Sequence, residues 1–202
     1  CRPRRMASSA CRLGLLGLLS TVDALSVPSA SWTHEQAIVR TRGWIKDAVI
    51  RYGLCPYAAA PFYDGSIRYA VYDCEDDEGL IEFFFDEALR LLREPSEKLA
   101  TTMLITPRYT GDINEFYELY EWLTDTLEGP EEEVLNNQVQ PAFFHPDWTF
   151  DGLPADSPIH FEKRAPCPVI NLLRREDLDQ VRLPVGLTTV PFACCKAACP
   201  RR

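Results

Sequence analysis

The chain has 202 residues and a formal net charge of −9; 46% of its residues are hydrophobic and 25% are charged. That composition is typical of a globular protein with enough length for one domain and one buried core. Because an acidic surface repels phosphate backbones and anionic lipid heads, we expect no nucleic-acid partner and no electrostatic docking to membranes.

The first 30 residues have the pattern of a targeting leader. A basic start is followed by an apolar run at 13–19 and by small residues that end at Ala24. This order is typical of a secretory signal peptide, and it also suits the first half of a plastid address. The run is too short to span a bilayer. We therefore predict a leader at 1–30 that sends the chain along the secretory route or to a plastid, with no stable membrane insertion after its removal.

The domain is predicted to begin with a helix followed by a strand. Apolar residues recur at three- and four-residue steps across 33–52, and Thr33 with Gln36 has the spacing of a capping box. Pro56 lies just beyond this segment, and proline cannot continue a helix. Alternation of residue types across 66–73, after an Asp-Gly turn, predicts the first strand.

Two further helices are predicted to flank a second strand. An acidic first turn at 75–78 opens the second helix, and Asp112 with Glu115 caps the third, which ends at Gly129. Between them, 100–106 is a compact apolar run, which indicates a strand buried on both faces.

The last third of the domain is predicted to supply two more strands. The segment 139–150 is strand-like and aromatic, and Pro141 and Pro146 predict that it is an edge or bulged strand. After a loop rich in proline and aspartate, 169–173 reads as a short strand that leads into a helical turn at 174–181.

The order of elements contains two strand–helix–strand units, which favour parallel neighbours joined by right-handed crossovers. We therefore predict one α/β domain at 31–184, with helices packed on a small, mostly parallel sheet of three to four strands. A two-layer α+β sandwich is the alternative. The segment 185–202 is rich in cysteine and proline without periodicity, and we expect it to lie outside the fold.

The eight cysteines have no arrangement typical of a disulfide framework. The predicted domain holds three of them, Cys55, Cys74 and Cys167, an odd number without the spacing of metal ligands. The sequence also contains no glycine-rich phosphate loop and no GxSxG element of the kind found in many hydrolases. The sequence therefore predicts no particular cofactor.

Three short segments combine polar residues with proline. They are Leu54-Cys55-Pro56-Tyr57-Ala58, the run from Phe144 to Phe150, and Arg164-Ala165-Pro166-Cys167-Pro168 leading into Asn171-Leu172-Leu173-Arg174. With these elements in this order, the chain from Trp32 to Val181 resembles a family of bacterial and plant proteins known as domain of unknown function 1415 (DUF1415). The resemblance implies a shared fold and transfers no activity.

Cys55 is the first candidate for chemistry, because a thiol can act as a nucleophile or as a soft metal ligand. It follows the end of the first predicted helix, whose partial negative charge raises the pKa of a thiol. An activated thiol would then need His145 or an arginine close by. The alternative is a buried structural thiol.

His145 and Asp147 are the second candidates. On a regular strand, Asp147 shares the face of His145 and orients it as a general base or a metal ligand. The proline between them weakens this geometry. The alternative is a structural histidine whose hydrogen bonds are satisfied.

Arg68, Arg164 and Arg174 are cations in an acidic domain. If strand ends bring them together, their guanidinium groups form a clamp for the carboxylate or phosphate of a substrate. The alternative is that they pair with the abundant acidic side chains.

Three functions remain open at this point. The first is an enzyme acting on a small anionic substrate, with the cysteine, histidine and aspartate as catalytic residues and the three arginines as substrate-binding residues. The second is a non-catalytic binding or assembly module in which Phe143, Trp148, Phe150 and the proline-rich loop that follows form an aromatic contact face. The third is a metal-binding protein that uses His145, Asp147 and Cys55.

Overall fold

The structure is a computed structural model that describes residues 29–129, 135 and 137–180. The leader predicted at 1–30, apart from its last two residues, and the tail predicted at 185–202 lie outside these residues. Among the described residues, no helix is long and apolar enough to cross a membrane.

Five α-helices and four strands follow one another along the described chain. They are α1 (His34–Trp44), α2 (Ala59–Asp64), β1 (Ile67–Val71), α3 (Asp77–Arg93), β2 (Thr101–Ile105), α4 (Ile113–Glu128), β3 (Val139–Phe144), β4 (Val169–Arg174) and α5 (Arg175–Gln180). A π-helical segment, Ile45–Ile50, continues α1, and short 3-10 turns lie at Ser29–Ser31 and Pro158–Glu162.

The four strands form one sheet in the order β1-β2-β4-β3. β1 pairs with β2 in parallel, whereas β4 is antiparallel to both of its neighbours. The α/β class and the strand number are confirmed, but the sheet is not mostly parallel. The unit β1–α3–β2 joins parallel neighbours, as predicted. In the second unit, β2–α4–β3, the two strands are not neighbours, because β4 lies between them.

The sheet divides the hydrophobic core into two clusters. On the face that we call the α3/α4 face, strand residues pack against α3 and α4; they are Ala70, Leu104, Val139, Phe143, Ile170 and Leu172. On the opposite face, the α1 face, strand residues pack against α1 and its π-helical continuation; they are Ile67, Met103, Ile105 and Val169. Alternate residues of each strand therefore serve different helices.

The predicted helix starts are confirmed in atomic detail. Thr33 and Gln36 form a complete capping box at α1, and Asp112 and Glu115 form a second one at α4. The strand β2 is buried at every position, and β3 lies at the edge of the sheet, where Pro141 costs no ladder hydrogen bond.

The helix α2 and the π-helical segment are not predicted by the sequence pattern. α2 has only six residues, and Pro61 lies in its first turn, where the missing N–H has no helical partner to lose. Gly65 ends it with a φ of 83°, a left-handed conformation that glycine adopts without steric cost. These short elements matter because they bracket Cys55.

Candidate functional site

A cavity of about 50 Å³ lies on the α1 face, between the end of the first helix and the sheet. Its walls come from the helical segment, from the loop that leads into α2 and from all four strands. The lining residues are Trp44, Ile45, Val49, Cys55, Tyr57, Ala58, Ile67, Thr101, Met103, Phe144, Asn171 and Leu173. We call it the Cys55 cavity.

The thiol of Cys55 lies between the end of the first helix and the beginning of α2. The backbone N–H groups of Tyr57 and Ala58 donate hydrogen bonds to the sulfur, which favours the thiolate. Burial is the larger effect, and it raises the pKa of Cys55 above its ordinary value of 9.0. A raised pKa of Cys55 agrees with the expectation from the sequence. Its main cause, however, is burial and not the partial negative charge at the end of the helix. At neutral pH the thiol therefore holds its proton.

Asn171 of β4 brings an amide group to the same cavity. Only 9% of its surface is exposed. The Thr101 hydroxyl on β2 lies 2.6 Å from Asn171 Oδ1 and 2.7 Å from the carbonyl oxygen of Leu172. With Oδ1 at the hydroxyl, Nδ2 is left as a donor that makes no hydrogen bond to a described residue and is not fully enclosed. The buried Nε1 of Trp44 also lacks a partner among these residues.

Charged groups act on the thiol from outside the cavity. The Lys163 ammonium lowers the pKa of Cys55 and the Glu162 carboxylate raises it, and both effects are smaller than that of burial. The ammonium lies 4.9 Å from the centre of the Phe144 ring, which lines the cavity. The lining itself includes no Asp, Glu, Lys, Arg or His from the part of the chain that the structure describes.

His145 lies on the other side of the sheet from the thiol. Its ring centre is 5.8 Å from that of Phe116 on α4 and 6.4 Å from that of Phe143, so the imidazole belongs to the α3/α4 face. The expected convergence of Cys55 and His145 is therefore wrong. The reason is the strand alternation, because Phe143 and His145 pack on one face while Phe144 lines the cavity on the other.

Asp147 does not hold His145 through its carboxylate. β3 ends at Phe144, so both residues lie in a turn, where the Asp147 N–H donates to His145 Nδ1 at 3.2 Å. The Asp147 side chain is 81% exposed, and its carboxylate is 3.9 Å from the same nitrogen. Because Nδ1 accepts a hydrogen bond, the neutral ring carries its proton on Nε2. Burial lowers the pKa of His145, and the Asp147 and Asp112 carboxylates oppose this only in part.

The three arginines do not form an anion clamp. Arg68 makes a two-pronged ion pair with the buried Glu87, at 2.6 and 2.8 Å. Arg174 donates to the backbone carbonyls of Leu91, Glu94 and Leu99, where α3 ends.

Arg164 is occupied by the loop that follows β3. Its Nε donates to the Trp148 carbonyl at 2.7 Å, and a longer bond of 3.4 Å reaches the Ala155 carbonyl. The sequence-based alternative to an anion clamp is pairing with acidic side chains. Arg68 does pair with an acidic side chain, whereas Arg164 and Arg174 bind backbone carbonyl oxygens. Each guanidinium thus stabilises a different part of the fold.

The proposed aromatic contact face is largely part of the core. Phe143 and Trp148 are buried, and Phe150 packs against the same cluster. Their rings contact one another, with centres 5.5 Å apart for Phe143 and Trp148 and 5.7 Å apart for Trp148 and Phe150. These three residues therefore stabilise the α3/α4 face and do not offer a free surface for a partner.

A wider cleft of about 550 Å³ lies where β1 and β2 lead into α3 and α4. Its lining residues are Glu75, Asp77, Ile81, Tyr109, Thr110, Gly111, Glu115, Glu118, Leu119 and Trp122. Burial and the nearby carboxylates raise the pKa of Tyr109 to about 12. Glu115 is already engaged in the capping box of α4. With four carboxylates and no basic lining residue among those described, the cleft repels an anionic substrate.

The predicted metal ligands do not come together. Within the described ranges, no group of three or more His, Cys, Asp and Glu side chains has an arrangement that could hold a metal ion. His145 packs on the α3/α4 face, Asp147 is exposed in the turn after β3, and Cys55 lines the cavity on the α1 face.

Sequence reasoning identified Cys55 but missed the groups that surround it. Asn171 and Thr101 are ordinary strand positions in the sequence, and they meet only because β4 inserts next to β2. A polar amide inside the apolar run of β4 is the one sequence signal that could have drawn attention to Asn171, because a buried amide needs partners.

Comparison with known proteins identifies one family. The sequence model of the family described as protein of unknown function (DUF1415) matches residues 36–185. No curated protein and no solved structure matches the chain.

Proposed function

The chain belongs to the DUF1415 family, whose description assigns no activity, and from its own side chains we propose that it is a thiol-dependent enzyme acting on a small substrate. Cys55 is the nucleophile, and the Cys55 cavity is the binding site. The observation that carries the proposal is that the thiol and the unpaired amide nitrogen of Asn171 line one cavity.

The surroundings of the sulfur suit a nucleophile whose charge develops during reaction. In the resting protein, burial keeps the thiol protonated. As a substrate takes the place of water and the proton leaves, the N–H groups of Tyr57 and Ala58 and the Lys163 ammonium stabilise the negative sulfur. These groups are held by the backbone or by packing, so they need no rearrangement at the moment of reaction.

The proposal departs from the sequence-based hypothesis in two respects. His145 is not assigned as the base for Cys55, because it packs on the α3/α4 face. An anionic substrate is not proposed, because the three arginines bind protein groups and the cavity has an uncharged lining among the described residues.

The reaction of native protein with methyl methanethiosulfonate, a small uncharged thiol reagent, tests the proposal. We expect Cys55 to be modified without unfolding, with a rate that rises with pH up to values above 9, because the thiolate is the reactive form and burial raises the pKa. Mass spectrometry of peptides measures the modification at each cysteine.

The chain provides its own reference thiols for this experiment. Cys74 is exposed and Cys167 is buried, and burial raises the pKa of Cys167 to about 12. The Cys55→Ser variant should lose only the signal of the peptide that carries position 55, and exposed Cys74 should react in the native protein. If Cys55 is modified only in denaturant, as Cys167 is expected to be, the thiol is structural and the proposal is wrong.

A further inference from the structure

The lining of the Cys55 cavity restricts the charge of what it can hold. No charged side chain among the described residues lines it, and most of its wall is apolar, from Trp44, Ile45 and Val49 on one side to Met103 and Phe144 on the other. An ionised ligand would lose its hydration in this cavity without gaining a partner of opposite charge. A ligand therefore has to be uncharged.

The hydrogen-bonding groups of the cavity restrict the ligand further. Asn171 is nine-tenths buried, and its Nδ2 has no acceptor among the described residues. Trp44 adds an indole N–H whose nitrogen is buried without a partner there. Buried donors are normally paired, so the enclosed and unpaired Nε1 of Trp44 is unfavourable, whereas Asn171 Nδ2 is a donor that is not fully enclosed. A ligand that carries an acceptor oxygen would supply the missing partner.

The size of the cavity sets a limit on the bound group. A volume of about 50 Å³ accommodates a few non-hydrogen atoms, since a single water needs roughly 10–15 Å³. A two- or three-carbon acyl group fits that limit, and the remainder of a larger molecule would have to extend out of the cavity.

We infer that the Cys55 cavity binds the carbonyl group of an uncharged acyl donor, with Asn171 Nδ2 donating to the carbonyl oxygen and Cys55 attacking the carbonyl carbon. This inference rests on the proposed thiol chemistry and names its substrate class. The S–H proton passes to a hydroxide ion of the solvent, which becomes water, the sulfur forms a bond to the carbonyl carbon, and the C=O π electrons move to the oxygen that Asn171 holds. When the C=O bond re-forms, the leaving group departs with its bonding electrons and takes up a proton, and an S-acyl cysteine remains. Water then hydrolyses this thioester to a carboxylic acid and restores the thiol.

Acetyl transfer from p-nitrophenyl acetate, an uncharged acyl donor, tests the inference. We expect Cys55 to be acetylated and nitrophenolate to be released, and Cys55→Ser to abolish the acetyl adduct at this position. In Asn171→Leu, acetylation of Cys55 should slow at least tenfold, because removal of one donor to a developing oxyanion lowers rates by roughly 10²–10³ in enzymes that depend on it. The Thr101 hydroxyl keeps the Leu172 carbonyl as its acceptor in this variant, so the β2–β4 pairing retains its bond.

The matched control is Asn114→Leu, which makes the same chemical change at an exposed position on α4. In methyl methanethiosulfonate the thiolate attacks a sulfur atom and no carbonyl oxyanion develops, so its rate at Cys55 should change less than twofold in Asn171→Leu. If acetylation is as fast in Asn171→Leu as in the wild type while the thiosulfonate still reacts, the acyl-donor inference is overturned and the thiol proposal stands. If neither reagent modifies Cys55 in the folded wild type, both are overturned.

A second measurement on the wild type does not depend on the folding of any variant. Iodoacetamide and iodoacetate differ in charge and share a carbonyl group. The ratio of the amide rate to the acid rate should be at least tenfold higher at Cys55 than at exposed Cys74, and equal ratios at the two thiols would contradict an uncharged ligand.

Discussion

The guanidinium groups of Arg68, Arg164 and Arg174 have the same chemistry and three different roles, because each lies against a different acceptor. Arg68 neutralises the buried carboxylate of Glu87, and the other two satisfy backbone carbonyls where helices and loops end. The sequence shows which residues carry charge, but partners 9 to 83 positions away decide what the charge does. For this reason, the sequence can indicate which types of residue a site needs, but it cannot show which residues meet in that site.

The buried imidazole of His145 should make the stability of the fold depend on pH. Burial holds the pKa of His145 in the folded state below the ordinary value of 6.5 that it regains on unfolding. Its contribution is therefore fully present above about pH 6.5 and declines as the pH falls towards the folded pKa, because the unfolded state binds the proton more readily. The urea concentration at the midpoint of unfolding should therefore be lower at pH 5.5 than at pH 7.5.

In the variant His145→Gln, the decrease in stability between pH 7.5 and pH 5.5 should be smaller. Glutamine can still accept a hydrogen bond from the N–H of Asp147, and it does not titrate. His34→Gln makes the same change at an exposed position on α1, where the imidazole lies 3.1 Å from the Asp73 carboxylate, and it is the control for the removal of a histidine. A wild-type pH dependence that persists unchanged in His145→Gln would show that another group is responsible.

Elements that carry a strong local signal were predicted closely, and those that depend on packing were not. The helices α3 and α4 have acidic starts and apolar stripes, and the apolar run of β2 marked its burial. α2 is too short for helical periodicity, and the π-helical segment has the same residue types as an α-helix. Both are fixed by the tertiary structure around Cys55.

The end of α3 depends on a residue far along the chain. Arg174, at the end of β4, donates to three carbonyls around the C-terminus of this helix, which has no glycine cap. Arg174→Met should destabilise the domain by about 1.5–3 kcal/mol, because hydrogen bonds from a charged donor are lost and the carbonyls are left to a half-buried environment.

Thermal unfolding of Arg174→Met and of its neighbour Arg175→Met provides the comparison. Arg175 makes a 3.4 Å ion pair with the exposed Glu128, so its loss should cost well under half as much. Equal effects of the two substitutions would argue against the capping role.

At the scale of the molecule, the described residues form a three-layer arrangement whose topology only partly follows from the sequence order. Each strand–helix–strand unit was recognisable, and β1, β2 and β3 do run in the same direction. The place of β4 could not be predicted, because a short apolar strand that follows a long loop can add to either edge or insert between two strands. Because β4 inserts next to β2, Thr101 pairs with Leu173 and its hydroxyl contacts the Asn171 side chain on the diagonal. These contacts complete the wall of the Cys55 cavity.

The strand order predicts which part of the molecule opens last. β2 and β4 have neighbours on both sides, whereas β1 and β3 are edges. Amide hydrogen exchange followed by mass spectrometry should therefore be slowest in peptides covering β2 and β4, since the central strands open only with the whole domain. Protection of β3 equal to that of β4 would contradict a single cooperative sheet of this order.

The insertion of β4 also has a consequence for biosynthesis. Until β4 has been synthesised and has left the ribosome, β2 lacks a partner on one side, β3 lacks its one partner strand, and the thiol faces a hollow that has no amide wall. Only when almost the entire domain has left the exit tunnel can the final strand slide between them. A nascent or prematurely terminated chain should therefore be prone to association through these open edges and should need chaperone protection until its last strand arrives.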